Sequence, residues 1–149
     1  MKVGFTCSSF DLLHSGHIAM LREARSQCDY LIVGLQCNPA IDRPLVKNKP
    51  IQSIVERHIQ LSAVKYVDEI IPYETELDLE DILQIFKINL RVIGEEYRDK
   101  PFTGKDICKK LGIEIYHNKR EHSFSTTLLR DRIKKAPAKS SLQRLIDKV

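Results

Sequence analysis

The feature that most constrains the fold is a pair of short segments in which nearly every residue is apolar, YLIVGL (30–35) and LRVIG (90–94). A strand that is buried on both faces has this near-continuous pattern, whereas a strand with one face in water alternates apolar and polar residues. Burial of both faces requires helices on each side of the sheet. The two segments therefore predict a parallel sheet between two layers of helices.

The rest of the chain alternates between strand and helix patterns in the same way. Further strands are predicted at 2–6, 68–73 and 113–117. Helices are predicted at 15–28, with Ser15 as N-cap, at 53–66, 77–87 and 105–112, and from Ser125 onward. The order predicts an α/β fold, a Rossmann-like doubly wound parallel sheet of about five strands with helices on both faces.

The 149-residue length fits one domain, which we place at 1–135, followed at 136–149 by a linker and a short C-terminal helix. No apolar run approaches the roughly 18 residues that a spanning helix needs, and the N-terminus does not resemble a signal peptide. A cytoplasmic location without membrane contact is therefore expected. The four cysteines are widely spaced and are expected to be free thiols.

The formal net charge of +4 is concentrated toward the C-terminal end, in RDRIKK and KSSLQR. Such a balance suits anionic ligands. No aromatic residue interrupts these basic runs, so base stacking on them is not expected and nucleic acid is not predicted as a partner.

The segment FDLLHSGHI (10–18) lies just after the first predicted strand, at the sheet edge where α/β proteins bind ligands. His14 precedes the first helix and His17 lies in its first turn, where free backbone N–H groups attract anions. Gly16 has no Cβ, so a triphosphate could approach the backbone closely. This arrangement predicts a phosphate site.

Two other interpretations stay open from these residues alone. Together with Asp11, the two histidines could supply three ligands to zinc, as in a zinc-dependent hydrolase. Alternatively, one histidine is a loop residue and the other a helix-entry residue, and neither contacts a ligand.

The segment SSFDLLHSGH (8–17) resembles the G-T-F-D-x-x-H-x-G-H signature of the nucleotidyltransferase superfamily, in its cytidylyltransferase-like branch. Within that branch the pattern is most similar to bacterial glycerol-3-phosphate cytidylyltransferases. The similarity continues through ERH (56–58), KYVDEIIP (65–72), IGEEY (93–97) and FSTTLLRDRI (124–133).

This resemblance implies an enzyme in which a substrate phosphate attacks the α-phosphorus of a nucleoside triphosphate and releases pyrophosphate, with Mg²⁺ and without a covalent enzyme intermediate. The first expectation is transfer of CMP from CTP to glycerol 3-phosphate, giving CDP-glycerol. The alternative is an adenylyltransferase acting on a sugar phosphate or on FMN, since phosphate motifs do not distinguish CTP from ATP. A homodimer is also implied, with the apolar face Leu142, Leu145, Ile146 and Val149 contributing.

The resemblance also assigns roles to residues. The catalytic set that it implies is His14, His17, Lys47, Arg120 and Ser125. The nucleotide site is expected to add Thr6, Ser8, Ser9, Phe10, Gly16, Gly94, Glu96, Phe124 and Thr126. Acceptor binding is expected from Asp11, Asn38, Lys47, Lys49, Lys65 and Asp68, with Asp11 also expected to hold magnesium.

Three positions depart from the pattern. Ser8 stands at the signature glycine, Asn38 at an acidic position, and Glu96 where the cytidylyltransferases have aspartate. A side chain at position 8 is expected to crowd the nucleotide or to force a less favourable backbone. The departures at Ser8 and Asn38 support an alternative of a different class, a protein that binds and senses a nucleotide with little turnover.

Overall fold

The computed structural model describes the backbone of all 149 residues and every side chain except that of Ser141. A five-stranded, all-parallel sheet with strand order β3-β2-β1-β4-β5 forms its centre. The strands are β1 Val3–Ser8, β2 Tyr30–Gln36, β3 Glu69–Tyr73, β4 Leu90–Gly94 and β5 Glu114–Asn118. The predicted α/β class is confirmed.

The six α-helices alternate with the strands as the sequence predicts. They are α1 Ser15–Ser26, α2 Ile54–Ser62, α3 Glu76–Ile85, α4 Lys105–Leu111, α5 Thr126–Lys135 and α6 Ser141–Asp147. A 3₁₀-helix at Glu95–Tyr97 follows β4, in a segment for which the sequence predicts neither helix nor strand. Within the described part of the chain, no helix is both long and apolar enough to cross a bilayer.

Strand β1 is longer than predicted and ends at Ser8 instead of Thr6. Cys7 and Ser8 continue the ladder by pairing with Gly34 and Leu35 of β2. The backbone hydrogen bonds of this ladder outweigh the turn preference of the polar segment CSS. The candidate site therefore begins at the end of a regular strand.

Helices cover both faces of the sheet. On one face, Leu21 of α1 and Leu61 of α2 are fully buried against Leu31, Val33 and Leu35 of β2. On the other face, a second buried cluster joins α3 and α4 to the sheet through Phe5, Ile32, Leu79, Leu83 and Cys108. This two-sided burial explains why β2 is apolar at successive positions.

From β1 the strand order runs outward in one direction through β2 to β3. It then resumes at β4, on the other side of β1, and continues outward in the opposite direction to β5. The helices that follow β1 and β2 pack on one face of the sheet, and those that precede β4 and β5 pack on the other. The loops after β1 and β4 therefore diverge. A crevice therefore opens at their carboxyl ends.

The proline-rich segment 37–53 forms neither helix nor strand. Two contacts hold it against the start of α3: the Asp42 carboxylate accepts from the Glu76 N–H at 2.6 Å, and Arg43 pairs with the Glu76 carboxylate at 3.4 Å. The segment thus borders the crevice beside β2.

The apolar side chains of the C-terminal helix lie in solvent, with Leu142, Leu145 and Ile146 exposed by 57% or more. This is the face predicted to contribute to a homodimer. The homodimer stays a prediction.

Arg57 of α2 joins the carboxyl ends of β1 and β2, although it is only 2% exposed. Its guanidinium donates to five backbone carbonyls, those of Ser9 (2.9 Å), Gln36 (2.6 Å), Cys37 (2.6 Å), Gln52 (3.1 Å) and Ser53 (3.3 Å). The carbonyls of Ser9, Gln36 and Cys37 lie at the strand ends, and those of Gln52 and Ser53 lie at the start of α2. One buried guanidinium thus satisfies polar backbone groups from three parts of the chain.

We expect Arg57→Met to lower the free energy of unfolding by about 3 kcal/mol, because buried carbonyls that accept from a charged donor would lose it. Urea unfolding followed by circular dichroism measures this change. Arg22→Met, at an exposed position of α1, is the control and should stay within about 0.5 kcal/mol of wild type. An equal effect of both substitutions would show that the five hydrogen bonds contribute nothing.

Candidate active site

A cavity of about 540 Å³ occupies the crevice at the carboxyl ends of the strands. Its wall includes the end of β1, the starts of α1 and α5, the end of β4 and Asn118 of β5. This volume lies within the range of pockets that hold small ligands.

The two histidines form the entry to α1. His14 is the N-cap, and its Nδ1 accepts from the Gly16 N–H at 3.0 Å, while Nδ1 of His17 accepts from the His14 N–H at 3.2 Å. The predicted N-cap, Ser15, is instead the exposed first residue of the helix. The prediction was wrong because the imidazole reaches the N–H group that a serine hydroxyl usually satisfies.

This reciprocal capping fixes the tautomers of both rings. Because each Nδ1 accepts a hydrogen bond, each neutral imidazole carries its proton on Nε2. Burial lowers the pKa of His14, with further lowering by His122 and Arg120. Burial, reinforced by His14, lowers the pKa of His17 from 6.5 to about 4. At neutral pH both rings are therefore neutral donors through Nε2.

Gly16 is required by the packing of the two histidines. A Cβ at this position would lie 2.8 Å from Cε1 of His14 and 3.1 Å from Cε1 of His122. The glycine thus makes room for the capping imidazole, in addition to any close approach of a ligand.

Helix α5 brings the serine–threonine motif to the histidines, as the sequence predicts. Thr126 Oγ1 lies 3.1 Å from His14 Nε2 and 3.4 Å from the backbone oxygen of Asp11. The N-cap Ser125 accepts from the Leu128 N–H at 3.0 Å. The N-termini of α1 and α5 therefore lie together, and helix N-termini attract anions.

Asp11 joins these two helix starts but does not face the cavity. Its carboxylate accepts from Ile51 N and Gln52 N, both at 2.9 Å, and pairs with Arg130 of α5 at 2.9 Å. Burial alone would raise the pKa of Asp11, but the Gln52, Ile51 and Arg130 hydrogen bonds outweigh it and lower the pKa.

The structure therefore corrects two expectations for Asp11, acceptor binding and magnesium coordination. Its carboxylate oxygens are already engaged and the residue is 5% exposed. Among the side chains that the structure describes, no group of three or more His, Cys, Asp or Glu could hold a metal ion. The zinc interpretation of His14 and His17 also loses its third ligand.

Most of the other predicted site residues border the cavity. Those in its wall are Thr6, Ser8, Ser9, His14, Gly16, His17, Lys47, Gly94, Glu96, Arg120, Phe124, Ser125 and Thr126. The structure thus brings together residues from both ends of the sequence.

Ser8 sits in this wall without backbone strain. The positive φ angles of non-glycine residues in the structure are those of Phe10 (50°) and Leu12 (52°). Ser8 is instead a regular residue of β1 paired with Leu35. The expectation that its side chain forces an unfavourable backbone was wrong, since the strand continues through it.

Three predicted residues lie near the cavity but outside its wall. Phe10 is 1% exposed, and the centroid of its ring lies 5.4 Å from that of the His17 ring. Phe10 therefore packs against His17 from within the protein core. The Asn38 side chain accepts from the Ala40 N–H at 3.0 Å and shapes its own loop. Lys49 is an exposed residue of that loop.

Lys65 and Asp68 lie at the amino ends of the strands, away from the cavity. The Asp68 carboxylate accepts from Leu31 N at 2.8 Å, near the beginning of β2, and pairs with Arg25 at 2.9 Å. Both residues precede β3, whereas the cavity lies after the strands. Their assignment to acceptor binding is corrected, because they lie at the amino ends of the parallel strands and the cavity lies at the carboxyl ends.

Sequence reasoning missed several residues of the cavity wall, including Arg43, Tyr73, Glu76, Arg91, Phe102 and His122. A signal was available for Arg91, the one charged residue in the buried segment LRVIG. The His122 and Phe124 rings stack at 5.0 Å with an angle of 24°. They form a small aromatic surface beside the start of α5.

Comparison with known proteins places this site in a family. The profile of a family described as cytidylyltransferase-like matches residues 5–132. The chain is 32% identical over 133 residues to the bifunctional protein HldE of Campylobacter jejuni, covering 89% of this chain and 28% of that protein. It is 36% identical over 115 residues to HldE of Hyphomonas neptunium, covering 77% and 24%. The chain thus spans about a quarter of the length of these relatives.

Solved structures share the fold. A lipopolysaccharide core biosynthesis protein from Thermoplasma volcanium matches with a TM-score of 0.64 at 25% identity, covering 82% of this chain and 99% of that one. A pantothenate synthetase from Thermus thermophilus matches with a TM-score of 0.59 at 16% identity, covering 88% and 64%.

The lowered pKa of His17 predicts a pH-dependent stability. Between pH 6.5 and about 4, the unfolded chain binds a proton at His17 that the folded chain does not bind, so stability falls as pH falls. The shift corresponds to roughly 3 kcal/mol. We expect urea unfolding of His17→Gln to lose much of this dependence, because Gln does not titrate. Its side-chain oxygen keeps an acceptor for the His14 N–H, so the start of α1 is preserved.

The exposed His58→Gln variant is the control for removal of an imidazole. A His17→Gln profile that follows wild type from pH 6.5 to 4 would contradict the burial of a neutral His17.

Proposed function

The chain belongs to the cytidylyltransferase-like family of nucleotidyltransferases, and we propose that it transfers a nucleotidyl group, AMP in our assignment, from a nucleoside triphosphate to a sugar phosphate. The observation that carries the proposal is the convergence of two neutral histidine Nε2–H donors with the N-terminus of α5 in one cavity. This arrangement provides donors for a triphosphate from two directions.

The proposed reaction needs no enzyme nucleophile. An oxygen of the acceptor's phosphate monoester forms a bond to the α-phosphorus. The bond from that phosphorus to the oxygen bridging to the β-phosphorus breaks, and pyrophosphate leaves with the electron pair. A phosphate monoester has a second pKa of about 6, so it is mostly a dianion at neutral pH and requires no general base.

The demand on the protein is then positioning and stabilisation of charge on the reacting phosphorus. The Nε2–H groups of His14 and His17 would donate to the triphosphate, and the free N–H groups at the start of α5 would bind its further oxygens. Arg120 and Lys47, which border the cavity, would add positive charge. We propose that magnesium arrives with the triphosphate and neutralises part of its charge.

The acceptor is assigned from the relatives. A lipopolysaccharide core is a saccharide, and sugars are joined after activation as nucleotide esters, so similarity to a protein of its biosynthesis favours a sugar phosphate. Similarity to the HldE proteins supports the adenylyltransferase alternative over CDP-glycerol synthesis. The sensing alternative loses part of its motivation, because Ser8 fits a regular strand.

The function is tested by pyrophosphate release over a grid of ATP and CTP against sugar 1-phosphates, glycerol 3-phosphate and FMN, with magnesium. We expect the highest kcat/KM with ATP and a sugar 1-phosphate. His14→Asn should lower kcat by about 10²- to 10³-fold, because Asn keeps the N-cap acceptor but lacks the Nε2–H donor.

His58→Asn, exposed on α2, should retain wild-type turnover. If no pair releases pyrophosphate faster than His14→Asn does, the chain is not the proposed enzyme. A preference for CTP with glycerol 3-phosphate would reinstate CDP-glycerol synthesis.

A further inference from the structure

Arg91 is a buried cation for which the fold provides no anion. It is the second residue of β4 and is 3% exposed. No carboxylate of the described side chains lies within 4.0 Å of its guanidinium. Burial of an unpaired charge is costly, so an apolar residue at this strand position would be favoured by stability alone.

The guanidinium is held on one side by the segment 101–104. One of its N–H groups donates to the Thr103 carbonyl, and the Phe102 ring lies 4.9 Å from its central carbon. Gly104 has a φ of +83°, and a Cβ there would lie 2.9 Å from the guanidinium. The segment thus fixes the orientation of Arg91 without neutralising it.

Arg91 is also one of the residues that line the 540 Å³ cavity. Alternation along β4 directs Leu90 and Val92 into the core under α1 and α2. Arg91 therefore points to the opposite face, under α3 and α4. It lines the cavity across the sheet from the helix that carries His14 and His17.

We call this part of the cavity the Arg91 side, lined by Arg43, Tyr73, Glu76, Arg91 and Phe102. Arg43 is already paired with Glu76 at 3.4 Å, so the cation left to attract an anion is Arg91. Burial, reinforced by Cys7, raises the pKa of Tyr73, so its phenol stays neutral. The Arg91 side therefore offers one uncompensated cation beside neutral and paired polar groups.

We propose that Arg91 binds the phosphate of the acceptor and selects for a phosphorylated polyhydroxy compound, whose hydroxyls contact Glu76 and Tyr73. This inference rests on the proposed function, since it names the group that holds the second substrate. The histidine side and the Arg91 side then hold the two substrates on opposite faces of the same crevice. An arriving phosphate dianion supplies the negative charge that the fold withholds from Arg91.

The test is binding of inorganic phosphate to the full chain, measured by calorimetry while saturating α,β-methylene-ATP with magnesium fills the histidine side. Arg91→Met is expected to raise the Kd for phosphate at least tenfold, because a charge-assisted hydrogen bond is lost. Arg25→Met removes one cation at the opposite edge of the sheet. It should stay within twofold of wild type.

A second measurement covers the case in which Arg91→Met does not fold. In ¹⁵N-labelled protein, the Nε–H resonance of Arg91 is identified as the one that is missing from the spectrum of Arg91→Lys. We expect a titration with phosphate to shift this resonance in the wild-type protein. A sugar 1-phosphate should produce the same shift and compete with phosphate. An unmoved Arg91 resonance, or a phosphate Kd in folded Arg91→Met within twofold of wild type, overturns the proposal.

These results are separable from the activity. The resonance titration requires neither turnover nor nucleotide, so phosphate binding at Arg91 without pyrophosphate release would overturn the proposed function alone. Sugar-phosphate turnover with an unchanged acceptor KM in Arg91→Met would overturn the Arg91 assignment alone.

Discussion

The carboxylate of Asp11 joins three parts of the chain that are distant in sequence. Its oxygens accept from Ile51 and Gln52 at the end of the proline-rich segment and from Arg130 of α5. Its own backbone oxygen lies 3.4 Å from the Thr126 hydroxyl. The position of α5 relative to α1 depends on these contacts, and the cavity depends on that position. Because the carboxylate is buried and satisfied, it acts as a structural tie and leaves ligand contacts to its neighbours.

Arg57 does for the strand ends what Asp11 does for the helix starts. Its hydrogen bonds to the carbonyls of Ser9, Gln36 and Cys37 hold the carboxyl ends of β1 and β2 together beside the crevice. One buried anion and one buried cation thus position a site whose own histidines are neutral at pH 7. Neutral imidazoles with fixed Nε2–H groups are suited to donate to a triphosphate without a rearrangement of charge.

Much of this arrangement could be predicted from local pattern. Apolar runs such as YLIVGL give the parallel sheet, and the histidine and serine–threonine motifs give the two helix starts that meet. Patterns along the chain could not show which polar side chains are already engaged by hydrogen bonds and ion pairs in the folded protein. Asp11 looks like a ligand until Ile51, Gln52 and Arg130 are seen around it. Lys65 and Asp68 look like site residues until the sheet places them at its other edge. In the sequence, Arg91 is simply the one charged residue of an apolar strand. Only the structure, with α3, α4 and the segment 101–104 packed around it, shows that its side chain is buried without an ion-pair partner.

The central claim is that His14 and His17 present two fixed Nε2–H donors to a bound nucleoside triphosphate. Long-range ¹H–¹⁵N spectra of the imidazoles at pH 7, recorded before and after addition of α,β-methylene-ATP with magnesium, test it directly. We expect both rings to be neutral with the proton on Nε2, and both Nε2–H signals to shift when the nucleotide binds. Protons found on Nδ1, or Nε2–H signals that bound nucleotide leaves unchanged, would contradict the account.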